Sequence, residues 1–209
     1  MMKTSVVIIV KNRTIQLSNT LYGISQQERL PDEVVIIHMN EDTPAVNYDD
    51  TKLIQQSLWD NKVAIPLGKA RNMGADTASG DLILFLDVDC IPSTDWLVRM
   101  QEEVRDFDGL LMGDISYLNK SETDRFTEER SDLTGMGESL PFRPATPMQG
   151  KITDADYSLF WSLNFGISKK NFFDLRGFDE DFVGYGAEDT DFAFRARTAE
   201  LPFGICGAK

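Results

Sequence analysis

The sequence has few of the residues from which disulfide frameworks and zinc sites are built. Its 209 residues include two cysteines, without a CxxC pair, and one histidine. This composition indicates neither kind of site and favours a reducing compartment. We expect Cys90 and Cys206 to be small buried side chains and His38 to have a structural role.

Long apolar runs are also missing. No stretch approaches the ~18 apolar residues of a membrane span, and the run that follows the first residues is too short for a signal peptide. We therefore predict a cytoplasmic protein without a transmembrane segment, which leaves room for peripheral association with a membrane surface.

The sequence has fewer basic than acidic residues. The chain has 21 basic and 34 acidic side chains, and its net charge is -13. Such a surface repels nucleic acid and anionic lipid, so we expect no nucleic-acid partner. A phosphate-bearing substrate would need local neutralisation by a metal ion or by arginines.

The common glycine-rich nucleotide motifs are absent. The sequence contains no GxxxxGK[ST] and no GxGxxG that follows a strand. These absences exclude a P-loop and a dinucleotide fingerprint.

Short runs rich in Val, Ile and Leu do occur, and segments of helical spacing separate them. Continuous apolar runs separated by helices are typical of a parallel sheet covered on both faces. We predict an α/β fold, with one Rossmann-like domain over 1–209 and a mostly parallel central sheet. The predicted strands are 5–10, 33–38, 62–67 and 82–86.

The segment 119–154 differs from the rest of the chain. It is polar and contains three prolines, which predicts a long loop or mobile excursion over the sheet.

The stretch LFLDVDC (84–90) ends a buried strand with two carboxylates, Asp87 and Asp89. Open parallel sheets bind ligands beyond the carboxyl ends of their strands. Two carboxylates there favour a hard divalent cation such as Mg²⁺ or Mn²⁺, which also binds phosphate oxygens. For an isolated DxD, a helix cap beside a solvated aspartate explains the pattern about as well.

A phosphatase of the aspartyl-phosphate type is a rival interpretation, because it also opens with a strand and DxD. That motif usually continues with Gly-Thr and lies near the chain start. Here it continues with Cys90-Ile91-Pro92 after earlier strands, which weakens this alternative.

A second acidic stretch, GFDEDFVGYGAEDTDFAFRAR (177–197), is not a calcium loop. Val183 and Thr190 occupy positions five and twelve of the loop register, where oxygen ligands are required. A capped helix would account for one of Glu188, Asp189 and Asp191, but poorly for all three.

Three blocks together resemble a family-two glycosyltransferase of the glycosyltransferase-A fold. The last of them is also similar to the carboxyl-terminal motif of β-1,4-galactosyltransferases. The blocks are SVVIIVKNR, ARNMGADTASGDLILFLDVDCIP and NFGISKKNFFDLRGFDEDFVGYGAEDTDFAFRAR.

The resemblance implies a metal-dependent, inverting glycosyltransferase. It would move a sugar from a nucleotide-sugar, with a UDP-sugar as the first choice, to a hydroxyl of a glycan, a lipid-linked molecule or another acceptor. Asp89 would bind Mn²⁺ or Mg²⁺ directly, and Asp87 would contact the ribose or a metal-bound water. The implied donor-binding residues are Val10, Lys11, Arg13, Asn40, Arg71, Asp87, Val88 and Asp89.

At the acceptor site the resemblance implies Asp189 as the catalytic base, with Glu188 orienting the acceptor hydroxyl. A helix N-terminus lowers the pKa of a carboxylate and crowding by neighbouring acids raises it, so the sequence leaves the balance open. Trp161 and Asn164 are candidate acceptor contacts, although a core role suits Trp161 equally well. Gly186 belongs to a predicted hinge, 184–186.

The expected organisation has two halves. Residues 1–110 would bind the nucleotide-sugar, and 155–209 would supply the acceptor and catalytic groups. Family members commonly continue further and provide a histidine as a metal ligand, so we expect either a truncated C-terminus or a metal site that is completed by water. A sugar-nucleotide-binding module with little activity is the non-enzymatic alternative.

Overall fold

The computed structural model describes residues 2–141, 143–147, 150–183 and 186–209. Within these residues the chain forms eight strands, six α-helices and a 3₁₀ turn at Tyr157–Leu159. The strands are β1 Thr4–Val10, β2 Glu33–Met39, β3 Lys52–Leu58, β4 Leu82–Leu86, β5 Leu110–Met112, β6 Lys151–Ile152, β7 Asn164–Ser168 and β8 Phe203–Cys206. The helices are α1 Thr14–Ser25, α2 Leu67–Thr77, α3 Trp96–Arg105, α4 Lys120–Glu129, α5 Lys169–Asp174 and α6 Glu188–Thr198.

All eight strands form one sheet in the order β3-β2-β1-β4-β7-β5-β8-β6. The first four are mutually parallel, whereas β7 is antiparallel to both β4 and β5. At the far edge β8 is parallel to β5 and antiparallel to β6. The predicted α/β class is confirmed, but the sheet is mixed rather than mostly parallel. An apolar run of β7's length gives no sign of strand direction, so the sequence pattern could not reveal the reversal.

The third predicted strand was wrong. Segment 62–66 forms no strand, Leu67 begins α2, and the third strand is Lys52–Leu58. That strand pairs on one side only, with β2, and most of its side chains are half-buried. An edge strand tolerates polar residues such as Gln55 and Gln56, and its sequence therefore lacks the continuous apolar run of a central strand.

Helices cover both faces of the sheet, as predicted. Alternate residues of β1 point to opposite sides, so that Ile8 packs with α1 and α3 while Val7 packs with α2 and α6. Every residue of β1, β2 and β4 is buried, which explains why their sequences are continuously apolar.

The prediction of a loop over 119–154 was wrong for two parts of that segment. It contains the ten-residue helix α4 and the short strand β6. Asn119 and Glu122 form a capping box at the start of α4, and Phe126 is its one buried residue. Because α4 has a single apolar anchor, the N-x-x-E spacing at its start was the clearest sequence signal for it. No helix within the described ranges is long and apolar enough to cross a membrane.

Candidate active site

The site lies where β4 ends. Asp87 follows Leu86 directly and Asp89 lies two residues further on, where an open cleft of about 1590 Å³ begins. The turn is fixed from two sides, because the Asp87 N–H donates to the Leu163 carbonyl at 2.8 Å and the Thr20 hydroxyl donates to the Val88 carbonyl at 2.7 Å. These bonds fix the backbone from which the Asp87 and Asp89 side chains project.

Arg71 of α2 joins this strand end to the start of α6. Its Nη2 lies 3.2 Å from Asp87 Oδ1, and its Nη1 lies 3.2 Å from Glu188 Oε1. Its guanidinium carbon also lies 5.3 Å from the centroid of the Phe178 ring. The side chain is 4% exposed and is absent from the cleft lining. In this structure Arg71 is therefore an internal link between two carboxylates, and its predicted contact with the donor is untested.

The two carboxylates on Arg71 are not fully satisfied. The pKa of Asp87 is raised to about 6, mainly by burial and also by the neighbouring Asp89 and Glu188, against the lowering effect of Arg71. Glu188 Oε2 is buried without a hydrogen-bond partner among the described residues. An unmet buried oxygen costs about 1–3 kcal/mol, and such costs are typical of functional sites rather than of cores.

Asp89 is in a different environment from Asp87. It pairs with Arg13 Nη1 at 3.1 Å, and both side chains are about half exposed, at 48% and 52%. Exposed pairs of this kind contribute about 0–1 kcal/mol. The Asp89 carboxylate is therefore readily available to a ligand.

The residues present fit a hard divalent cation. Asp87 and Asp89 each spend a single oxygen on an arginine, and Mg²⁺ or Mn²⁺ binds through one or two carboxylates plus phosphate oxygens and water. In the part of the chain that the structure describes, no group of three His, Cys, Asp or Glu side chains converges on one point. The protein would thus supply two carboxylate ligands and the donor diphosphate would supply others.

The first turn of α6 contains three carboxylates, and each lies in a different setting. Glu188 pairs with Arg71 in the interior, and Asp191 pairs with Arg195 at 2.7 Å. Asp189 lines the cleft together with Asp87 and Asp89, and its Oδ1 accepts the Thr190 N–H at 2.8 Å. Asp189 is therefore the carboxylate of this turn that faces the cleft.

The other predicted donor residues lie around the end of β1, and most do not line the cleft. Val10 and Val88 are buried core residues. Lys11 donates to the Ala64 carbonyl, and the Asn40 amide bonds to the Val63 carbonyl at 2.9 Å and to the Asp60 N–H at 2.6 Å. Asn40 and Lys11 thus anchor the 60–64 segment, whereas Arg13 lines the cleft. Donor contacts by these residues stay predictions.

Glu41 is a residue that the sequence reasoning missed. Its carboxylate accepts the N–H of Asn12, in the loop after β1, and also contacts His38 Nδ1 at 3.2 Å. His38 is fully buried and bonds to Gln55 Oε1 at 3.0 Å through its other nitrogen, which agrees with its expected structural role. The signal was available, because Glu41 follows a buried strand just as Asp87 does.

The predicted acceptor residues all line the cleft but differ in what they can offer. Trp161 has the Arg143 guanidinium stacked on its ring at 4.2 Å. Asn164 is buried, and its amide bonds to Trp96 Nε1 at 2.8 Å and to the carbonyls of Asp114 and Ala208. Gly186 has a φ of 91°, whereas the other two residues of the predicted hinge, 184 and 185, lie outside the described residues.

The mixed sheet has paired carboxylates at the end of β4 and a facing carboxylate on α6. This arrangement is the one expected for the glycosyltransferase class that the sequence resembles. Residues 5–203 match the family described as "Glycosyltransferase like family 2", and the chain belongs to this family. Membership does not support the phosphatase alternative.

Two curated relatives illustrate the family. The chain is 23% identical over 222 residues to validoxylamine A glucosyltransferase of Streptomyces hygroscopicus subsp. limoneus, which covers 96% of this chain and 49% of that protein. It is 26% identical over 216 residues to hyaluronan synthase of Pasteurella multocida, covering 91% of this chain and 22% of that protein. The chain thus spans half or less of the length of these relatives.

Among solved structures, TarS residues 1–349 of S. aureus in complex with UDP superimposes with a TM-score of 0.70. The identity is 19%, and the match covers 100% of this chain and 59% of that one. This likeness establishes the fold and agrees with the glycosyltransferase-A architecture predicted from the sequence.

Proposed function

We propose that this domain transfers a sugar from a nucleotide-sugar, with UDP-sugars as the preferred donors, to an acceptor hydroxyl with inversion at the anomeric carbon. One observation carries the proposal: Asp87 and Asp89 at the end of β4 and Asp189 at the start of α6, about a hundred positions apart, line one cleft in a family-two fold. Inverting transfer needs a charged group at the leaving diphosphate and a base at the acceptor.

The donor side of the cleft has groups that could bind a diphosphate even though the protein is acidic overall. Asp87 and Asp89 would hold a divalent cation, which supplies positive charge to the leaving diphosphate when it is bound. Arg13 lies against Asp89 and brings a cationic side chain to the same place. UDP is the first choice because the similar fold of TarS binds it in the crystal.

The acceptor side relies on Asp189. Its carboxylate takes the proton from the acceptor hydroxyl as the oxygen attacks the anomeric carbon on the face opposite the diphosphate. Glu188 fixes the position of Asp189, because its ion pair with Arg71 ties the first residue of α6 to α2 and to the end of β4. The predicted role of Glu188 in orienting the acceptor hydroxyl stays a prediction.

Calorimetry with UDP tests the donor side. We expect UDP to bind far more tightly with Mn²⁺ than with a chelator, and the Asp89→Ala variant to lose this metal dependence. Asp106→Ala is the matched control, because it removes an exposed carboxylate at the C-terminal end of α3. Equal UDP affinity with and without metal would contradict the metal site, and tighter binding of GDP would contradict the choice of donor.

A further inference from the structure

Asp114 is a carboxylate of the cleft to which the proposed mechanism gives no role. It follows β5 after Gly113 and lines the cleft together with Asp87 and Asp189. Both β4 and β5 are antiparallel to β7, so these two strands run in the same direction and end at the same edge of the sheet. Asp114 therefore lies at the edge where sheets of this kind bind their ligands.

The register of the strands shows how far Asp114 lies from the donor side. The strand β7 lies between β4 and β5 and pairs with both. Continued one residue past the end of β4 and two past the end of β5, these registers place Asp87 and Asp114 opposite Leu163, on its two sides. Residues related in this way project from the same face of a sheet, and two strand spacings, about 10 Å, separate their backbones. A sugar whose diphosphate is bound at Asp87 thus has Asp114 beside it.

The backbone of Asp114 is held by buried polar bonds. Its N–H donates to the Ala208 carbonyl at 2.9 Å, and its carbonyl accepts from Asn164 Nδ2 at 3.2 Å. The Asn164 amide is itself fixed, because it also donates to the Ala208 carbonyl and accepts the Trp96 Nε1–H at 2.8 Å. Gly113 permits this close packing, since a Cβ there would lie 2.2 Å from Asn164 Nδ2. Such support is what a side chain needs when it must hold one position in a binding site.

The two oxygens of the Asp114 carboxylate are used unequally. Oδ2 accepts from the Thr146 hydroxyl at 3.1 Å and pairs with Lys209 Nζ at 3.3 Å. Oδ1 has no hydrogen-bond partner among the described residues, and 11% of the side chain is exposed. A carboxylate accepts hydrogen bonds through both oxygens, so one oxygen anchors the side chain while the other is free toward the cleft.

Arg143 lies near Asp114 but does not occupy this free oxygen. Burial lowers the pKa of Arg143 and Asp114 raises it, so the two charges are close enough to interact. The guanidinium is nevertheless stacked on the Trp161 ring at 4.2 Å and forms no ion pair with Asp114, and its Nη2 has no hydrogen-bond partner in the described part of the chain. The free oxygen of Asp114 is therefore left to water or to a ligand.

We propose that Asp114 is a specificity-determining residue, whose Oδ1 accepts a hydrogen bond from a hydroxyl of the sugar that is transferred. The inference rests on the proposed function, because the diphosphate at Asp87 and Asp89 brings the sugar to this edge of the sheet. A hydrogen bond to a charged acceptor is among the stronger ones, and a sugar without a hydroxyl at the required position leaves the carboxylate unpaired. Asp114 thus selects the sugar, whereas the donor side already described binds the nucleotide diphosphate.

Calorimetry in the presence of Mn²⁺ separates binding of the sugar from binding of the nucleotide. UDP, UDP-glucose, UDP-galactose and UDP-N-acetylglucosamine are titrated into the wild type, and the UDP-sugar that binds most tightly is then used for the variants. In Asp114→Asn, Thr146 and Lys209 hold the amide oxygen at the position of Oδ2, so an NH₂ group replaces Oδ1. We expect the Kd of the UDP-sugar to rise about tenfold or more and that of UDP to change less than about twofold.

Three further variants serve as controls. Asp95→Asn makes the same change of charge at another residue of the cleft, which pairs with Arg99 at 3.7 Å, and should alter neither affinity. Thr146→Val removes an anchor of Oδ2 and leaves Oδ1 in place, so the UDP-sugar should bind less than about threefold more weakly. Asp114→Glu keeps the charge but moves both oxygens by one methylene. It should weaken the UDP-sugar selectively as well, and it takes the place of Asp114→Asn if that variant does not fold.

Equal weakening of UDP and the UDP-sugar by Asp114→Asn, or no weakening of either, would overturn the inference. So would a loss in Thr146→Val as large as that in Asp114→Asn, since Asp114 would then only hold the 146 segment. Binding of UDP without any of the three UDP-sugars would overturn the inference and leave the proposed nucleotide site intact. Failure of UDP itself to bind to the wild type would contradict the proposed function, and this inference with it.

Discussion

Glu33 and Asp87 are acidic residues at opposite ends of the parallel part of the sheet, and their carboxylates differ in how well they are paired. Glu33 begins β2 and is fully buried. Its carboxylate accepts hydrogen bonds from the Ser5 hydroxyl and the Ser79 N–H, and it pairs with Lys52 at 3.0 Å. Burial by itself would raise the pKa of Glu33, but these bonds lower it to about 2.

At the carboxyl end of the strands the same kind of group is left partly unsatisfied. Asp87 shares Arg71 with Glu188, its pKa is raised to about 6, and Glu188 Oε2 lacks a partner among the described residues. At the amino end of the strands the buried carboxylate is fully paired, which stabilises the fold. At the carboxyl end negative charge is left in excess. Ligands of an open parallel sheet bind at the latter end.

The largest effect we predict is on catalysis, and it tests whether the carboxyl end of the sheet is the functional end. Asp189→Asn should lower the rate of sugar transfer by about 10²–10⁴ with little change in UDP affinity. Asp191→Asn is the control, because it lies in the same helical turn but pairs with Arg195. Transfer at a near wild-type rate by Asp189→Asn would place the base elsewhere, and a retained anomeric configuration in the product would contradict single displacement.

Arg71→Met should be strongly destabilising. The substitution leaves Glu188 buried without a counter-charge beside the partly exposed Asp87, which costs about 3–5 kcal/mol. Urea denaturation measures the change. Lys69→Met on the same helix removes a pair with Asp60 in which the lysine is 40% exposed, so it should cost less than about 1 kcal/mol. Similar losses for the two variants would mean that the carboxyl end is no more strained than the surface.

Glu33→Gln tests the amino end. The difference between the ordinary pKa of 4.5 and about 2 corresponds to about 3 kcal/mol at neutral pH. Because the folded-state pKa is lowered, this stabilisation is present above about pH 4.5 and is lost as the pH falls toward 2. Glu33→Gln should therefore lower the melting temperature by about 6–12 °C at pH 7 and by much less near pH 2.5.

Exposed Glu102 on α3 supplies the control for that measurement, since Glu102→Gln should change the melting temperature little at either pH. UDP affinity should be unchanged by Glu33→Gln. A loss of UDP affinity in this variant would contradict the claim that the amino end of the sheet is structural and only the carboxyl end is functional.

The smallest effect concerns α4, which forms part of the outer cleft wall. Asn119→Ala removes the capping box with Glu122 and should cost about 1 kcal/mol. Hydrogen exchange of the α4 amides should rise while that of β1 stays the same. Unchanged exchange in α4 would mean that contacts with α1, through Asn19 and Arg130, hold the helix without its cap.

Sequence reasoning located the strand-end carboxylates because buried parallel strands are continuously apolar, so an Asp pair that ends one stands out. The same reasoning missed β3, whose edge position lets glutamines replace apolar residues. It also missed α4, which is anchored by one apolar residue. In both cases the hydrophobic signal was weak because little of the element is buried.

The sequence by itself determined the α/β class, helices on both faces and the position of Asp87 and Asp89, because these follow from local apolar periodicity and from where it stops. Only the tertiary structure decided that β7 runs antiparallel, that Asp189 rather than Glu188 or Asp191 faces the cleft, and that Arg71 is internal. The last of these depends on a contact between residues 117 positions apart. Local patterns carry no information about such a contact, because it exists only after α2, β4 and α6 have packed together.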